Sequence, residues 1–164
     1  MLKLAGSVMI VSAAFFCGFY KAYSLKQRSE SLSRTITALA VLESEISYGK
    51  RDIKSIFKTI GETHKLPLFA DAAEEMSVHN SKTALCRSID KQSMFLLGTD
   101  KSILKLLAEN LGMTDTKNQL GAIAHVRSLL EEAQNSALEE YKKNGRFYRS
   151  AGILCGLLAV ILLY

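Results

Sequence analysis

The chain has no tryptophan, a single proline (Pro67) and only 8% aromatic residues. With so few obligatory breakers long helices are free to form, and the apolar positions favour Leu, Ala, Ile and Met over the Val-rich alternation of strands. Three cysteines in 164 residues build no disulfide framework, and none is arranged as CxxC. His64, His79 and His125 lie in separate segments without a ligand partner at i+3 or i+4, so no metal site is expected. The patterns GxxxxGK[ST], GxGxxG and GxSxG are all missing, which removes the usual sequence grounds for ATP-driven or hydrolytic chemistry. The expectation is a non-enzymatic protein with no cofactor.

Charge is missing from two stretches, residues 4–20 (LAGSVMIVSAAFFCGFY) and 150–164 (SAGILCGLLAVILLY). As helices they measure about 25 and 22 Å, a little short of the roughly 30 Å hydrocarbon layer. Lys3, Lys21 and Arg149 can extend toward headgroups, and Tyr20, Tyr23, Phe147, Tyr148 and Tyr164 suit an interface. Both runs are therefore expected to be transmembrane helices, at 1–23 and 150–164, with 24–149 between them. A cleaved leader competes for the first run, because Ser12-Ala13-Ala14 follows a lone basic residue.

Lys21, Lys26, Arg28 and Arg34 follow the first run, and Lys142, Lys143, Arg146 and Arg149 precede the second; only Lys3 opposes them. By the bias of basic residues toward the cytoplasm, 24–149 faces the cytoplasm and both termini lie on the opposite side of the cell membrane. The net charge of +5 is then largely explained at the two junctions, where each basic residue near an anionic leaflet contributes about 1 kcal/mol. Nucleic acid is not needed as a partner; the lipid bilayer is.

Between the runs the apolar spacing is helical. Leu32, Ile36, Leu39, Leu42 and Ile46 make one face, closed by Tyr48 and by Gly49 as a left-handed C-cap. A short helix carries Ile53, Ile56, Phe57 and Ile60 and is expected to end at Gly61. Pro67 opens the next, and another runs from Ser81 or Lys82 to about Phe95. Thr99 is expected to cap the helix of Ile103, Leu104, Leu106, Leu107 and Leu111. The longest stripe is Leu120, Ile123, Val126, Leu130, Ala133, Ala137 and Tyr141. The fold class is all-α, a bundle of about six helices tethered at both ends.

In the corner Leu111-Gly112-Met113-Thr114-Asp115, Gly112 ends one helix, Thr114 is the expected N-cap of the next, and Asp115 is placed in its first turn against the helix dipole. Thr116-x-x-Gln119 is a competing start two residues later. Glu43 and Glu45 diverge by about 200° on a helix and so do not form a catalytic carboxylate pair. With Arg51 they are instead candidates for contact with a partner. Ala14 and Gly18, and Gly152 and Gly156, are spaced small-xxx-small, which permits close helix contact between the two runs or between copies in a homo-oligomer.

Leu42-Glu43-Ser44-Glu45-Ile46-Ser47-Tyr48-Gly49, then Leu111-Gly112-Met113-Thr114-Asp115 with Gln119, then Tyr141-Lys142-Lys143-Asn144-Gly145-Arg146-Phe147-Tyr148-Arg149 before an apolar end resemble, in order and spacing, the stage III sporulation protein AB family of endospore-forming bacteria. The chain differs where Lys50-Arg51-Asp52-Ile53 replaces an expected Pro-containing turn. The resemblance implies a helical domain similar to the platform proteins of type II secretion and type IV pilus machines. It further implies a place in the channel complex between mother cell and forespore, in the mother-cell-derived outer forespore membrane. Implied partners are the secretion-type ATPase, stage III sporulation protein AA, and other membrane channel subunits. A membrane-tethered regulatory adaptor that binds a soluble partner through its bundle is the alternative.

Overall fold

The computed structural model describes residues 2–49, 51–92, 95–112 and 115–163, with backbone alone at 2–5, 7, 8, 162 and 163. Six helices follow in order: α1 Leu2–Tyr48, α2 Ile53–His64, α3 Pro67–Glu75, α4 Ser81–Lys91, α5 Gly98–Asn110 and α6 Thr116–Leu163. Among the described residues there is no strand, so the protein is all-α.

The chain divides into two compact units, one of residues 30–134 and the other of 1–29 together with 135–164. These boundaries follow packing; the division at 23/24 and 149/150 follows hydropathy, and the two quantities need not coincide. The expected stand-alone transmembrane helices are not what the structure shows. The uncharged runs are the ends of α1 and α6, which are 47 and 48 residues long and continue unbroken into charged sequence. Among the described residues, no helix is long and apolar enough to cross a membrane. Ser12, Gly18 and Tyr20 dilute the first run, and the second is only about 22 Å long.

In the 30–134 unit, Leu32, Leu39, Leu42 and Ile46 of α1 and Ile123, Val126 and Leu130 of α6 are buried, as their helical spacing requires. The short helices pack in succession, α2 on α3, α3 on α4 and α4 on α5. Phe57 and Phe69, both fully buried, meet edge to face with ring centroids 5.1 Å apart. The buried Ser88 hydroxyl donates to the Leu68 carbonyl at 2.5 Å and so ties α4 to α3 without leaving a polar orphan.

Gly61 lies inside α2, not at its end. A Cβ there would stand 2.6 Å from the Ala70 nitrogen, so its missing side chain sets how closely α2 and α3 approach. The helix stops instead at His64, with Lys65 left-handed at φ 51. Pro67 is the cause, since it drives Leu66 extended before occupying the first helical position of α3. Two other boundaries differ from the spacing-based expectation, the end of α4 and the start of α5, whereas the start of α4 at Ser81 agrees with it. Asn80 caps α4 by accepting from Thr83 N–H at 2.8 Å, and α4 ends at Lys91. Leu97 precedes α5, where the Asp100 carboxylate reaches back to Leu97 N–H at 2.9 Å; Thr99 is already inside the helix.

In the other unit the ends of α1 and α6 run antiparallel, as the pairings Arg28 with Glu140, Gly18 with Gly152 and Val11 with Gly156 require. Ala22, Ala137, Gly145 and Gly156 are buried along this pair. Met9, Phe16, Tyr20, Leu154, Leu158 and Ile161 point outward, each at least 60% exposed.

Candidate functional site

The small residues singled out in the sequence come together. A Cβ on Gly18 would lie 2.4 Å from the Tyr148 carbonyl oxygen, and one on Gly152 would lie 2.8 Å from the Ala14 carbonyl oxygen. One on Gly156 would lie 3.2 Å from the Ala14 Cβ. Ala14, Gly18, Gly152 and Gly156 thus form one seam where backbone meets backbone within a single chain. Large side chains are left on the outside of the pair. That division, small residues in the seam and bulky apolar groups outward, inverts the usual arrangement of helices packed in water.

Glu43, Glu45 and Arg51 are not brought to one point. Glu43 forms an ion pair with Arg127 of α6, whose guanidinium also stands 3.7 Å from Glu131. Glu45 lies 3.9 Å from Arg51, which donates to the Thr59 hydroxyl at 3.1 Å. The 200° divergence is therefore used to lock two different neighbours, α6 and the turn before α2. In that turn Arg51 stands where a proline-containing turn was expected, and Asp52 leads into α2 with extended backbone. The Glu43–Arg127 contact spans 84 positions of sequence, which no local pattern in a single chain reveals.

Gly49 and Gly112 both have positive φ, 63° and 77°, as their capping roles require. Gly49 N–H donates to the Ile46 carbonyl at 3.1 Å. Asp115 stands one position before α6 and not in its first turn. Its carbonyl accepts from Gln119 N–H at 3.0 Å and its carboxylate from the Asn118 side chain at 2.5 Å. Thr114, the expected N-cap, lies outside the described residues. Among the described residues, no group of three or more His, Cys, Asp or Glu side chains is placed to hold a metal ion.

Sequence reasoning missed a charge cluster on the bundle surface. Glu75 at the end of α3 lies 2.6 Å from Lys91, 3.6 Å from Arg87 and 3.7 Å from His79. The hydrogen bond from Lys91 holds the Glu75 carboxyl below its usual range, and the same bond raises Lys91 above its own. Because the folded value for Glu75 is depressed, its stabilisation is complete above the ordinary value of 4.5 and is lost as pH falls through the lower folded one. Chemical denaturation across that acid range should show a shallower loss of stability for Glu75→Gln than for the wild type. The i,i+4 spacing of Glu75 and His79 was visible in the sequence, but the approach of Lys91 depends on how α3 packs against α4.

Taken together these contacts define an all-helical protein with a multi-helix bundle and an antiparallel pair of helix ends sealed by glycine. The family model of stage III sporulation protein AB matches residues 3–164. The chain is 31% identical to stage III sporulation protein AB of Bacillus subtilis (strain 168), with 99% of both chains covered. It belongs to the stage III sporulation protein AB family. A solved structure of a stage III sporulation protein AB, 24% identical, aligns with a TM-score of 0.64 over 70% of this chain and 96% of that one, and so supports the same helical fold.

Proposed function

We propose that the chain is a non-enzymatic platform subunit of a secretion-like channel complex between mother cell and forespore. It is anchored in the mother-cell-derived outer forespore membrane by its two helix ends and couples a cytoplasmic ATPase to membrane channel subunits. The observation that carries the membrane part is the outward apolar surface of Met9, Phe16, Tyr20, Leu154, Leu158 and Ile161 around a seam of glycine and alanine. Water disfavours such a surface, whereas lipid covers it at no cost. The runs fall about 5 and 8 Å short of the roughly 30 Å hydrocarbon thickness, a mismatch that local thinning of the bilayer and extension of Lys21 and Arg149 toward headgroups can absorb. Family membership supports the sporulation context.

On the bundle, Glu45 and Arg51 are partly exposed ion-pair partners at the turn between α1 and α2, and they are the residues assigned to the ATPase contact. An exposed pair of this kind adds only about 0–1 kcal/mol to folding, so it can exchange partners cheaply. Full-length protein purified in detergent is expected to retain the ATPase subunit, and Glu45→Lys should weaken that retention. No retention under conditions where other channel subunits bind contradicts the coupling role. Exchange of both helix ends for an unrelated anchor separates a platform, which then fails in sporulation, from an adaptor, which continues to work.

A further inference from the structure

At the start of the uncharged stretch of α6, Tyr141, Lys142, Gly145, Arg146 and Arg149 line a notch of about 440 Å³. Lys142, Arg146 and Arg149 follow at steps of four and three, so they lie within about 60° of one another on the helix. All three are exposed, and among the described residues none is engaged with a carboxylate. The floor exists because residue 145 has no side chain: a Cβ there would lie 3.1 Å from the Tyr141 ring. Arg149 is held in place from two sides. It donates to the Tyr141 hydroxyl oxygen at 3.5 Å, and its guanidinium carbon lies 6.0 Å from the centre of the Phe19 ring on α1. The phenolic proton of Tyr141 stays available to another acceptor, since Arg149 uses only the oxygen. Within three turns beyond Arg149 the surface becomes the exposed apolar side chains Ile153, Leu154, Leu157 and Leu158.

Three cations and one hydroxyl donor around a small cavity recognise a phosphate group, and guanidinium planes do so with two parallel hydrogen bonds. The adjoining apolar surface selects the source. We propose that this notch is a binding site for the headgroup phosphate of an anionic phospholipid, whose acyl chains lie along Ile153 and Leu157, which continue the same face of the helix. The site rests on the membrane placement of the helix ends. It goes beyond the general attraction of basic residues to an anionic leaflet, because shape as well as charge is required.

The test uses the full chain in phosphatidylcholine vesicles, titrated with fluorescent phosphatidylglycerol and, as reference, fluorescent phosphatidylcholine. The wild type is expected to enrich the anionic lipid. Arg146→Gln should lower that affinity about fivefold, the equivalent of one basic contact of about 1 kcal/mol. Gly145→Leu, which fills the notch and keeps every charge, should lower it at least as much, while Lys143→Gln, outside the notch, should change it little. Gly145→Ala, a substitution favoured in helices, should reduce binding without loss of helical circular dichroism and so separates an occupied notch from a misfolded chain. Wild-type binding in both Gly145 variants, with equal losses in K143Q and R146Q, overturns the site in favour of diffuse attraction. Complete displacement of the lipid by excess inorganic phosphate overturns the lipid assignment in favour of free phosphate. Failure of the chain to float with neutral vesicles contradicts the membrane placement instead. The notch is then read with water-soluble dihexanoylphosphatidylglycerol, where the same order of variants supports it and no difference among them overturns it.

Discussion

Phe69→Ala is expected to cost about 3–5 kcal/mol of stability, a large share of the roughly 5–15 kcal/mol that holds a typical domain folded. Phe69 is fully buried on α3, and its ring meets Phe57 of α2 edge to face at 5.1 Å. Truncation removes the transfer free energy of the ring, the aromatic contact and the packing of both helices around it. The neighbourhood has little room to collapse, because Gly61 already brings α2 against the backbone of Ala70 and the Ser88 hydroxyl fixes α4 to the Leu68 carbonyl. Urea denaturation of the full chain in detergent measures the effect. Val78→Ala serves as the reference, since Val78 is 80% exposed and its truncation should stay within about 0.5 kcal/mol of wild type.

Gly18→Leu is expected to force the helix ends of α1 and α6 apart. Even the first carbon of the new side chain would stand 2.4 Å from the Tyr148 carbonyl oxygen. The obstacle is backbone, which cannot rotate away as a side chain can, so the helices must separate at a cost of about 1–3 kcal/mol or more. Cross-linking makes the separation visible. A Cβ at residue 156 lies 3.2 Å from the Ala14 Cβ, close to the spacing a disulfide accepts. With Cys17 and Cys155 changed to serine, Ala14→Cys/Gly156→Cys should form an intramolecular disulfide readily, and addition of Gly18→Leu should slow it at least tenfold. Equal cross-linking with and without Gly18→Leu contradicts the seam.

Much of the bundle was legible because its causes are local. Gly49 and Pro67 act through their own backbone preferences, and the stripes Leu32 to Ile46 and Ile123 to Leu130 act through a period that any window exposes. Gly61 was misread for the opposite reason. A glycine that ends a helix and one that admits a neighbouring helix look alike until Ala70 is known to face it. The start of α4 at Ser81 was legible, but the capping of α5 was misassigned to Thr99, one position from Asp100, because only geometry decides which oxygen reaches which N–H. The glycine and alanine spacing at both ends was visible, but not whether its contact fell within one chain or between two. The Glu43–Arg127 pair and the Lys91–Glu75 contact belong to tertiary packing and leave no mark on local sequence.

The chain's three cysteines allow the central claim, that both helix ends lie in lipid while the bundle faces water, to be tested with little engineering. Cys17 and Cys155 are exposed on the helix ends, and Cys86 is half-buried in the bundle. Exposure on the protein alone therefore gives no protection to Cys17 or Cys155; only a surrounding bilayer can. A membrane-impermeant maleimide is applied to native membranes opened to the cytoplasmic side, with Ser77→Cys, exposed on the bundle, as internal standard. Rapid labelling of residue 77, with Cys17 and Cys155 labelled only after detergent is added, is the predicted result. Labelling of Cys17 and Cys155 as fast as residue 77 in intact membranes would contradict the account.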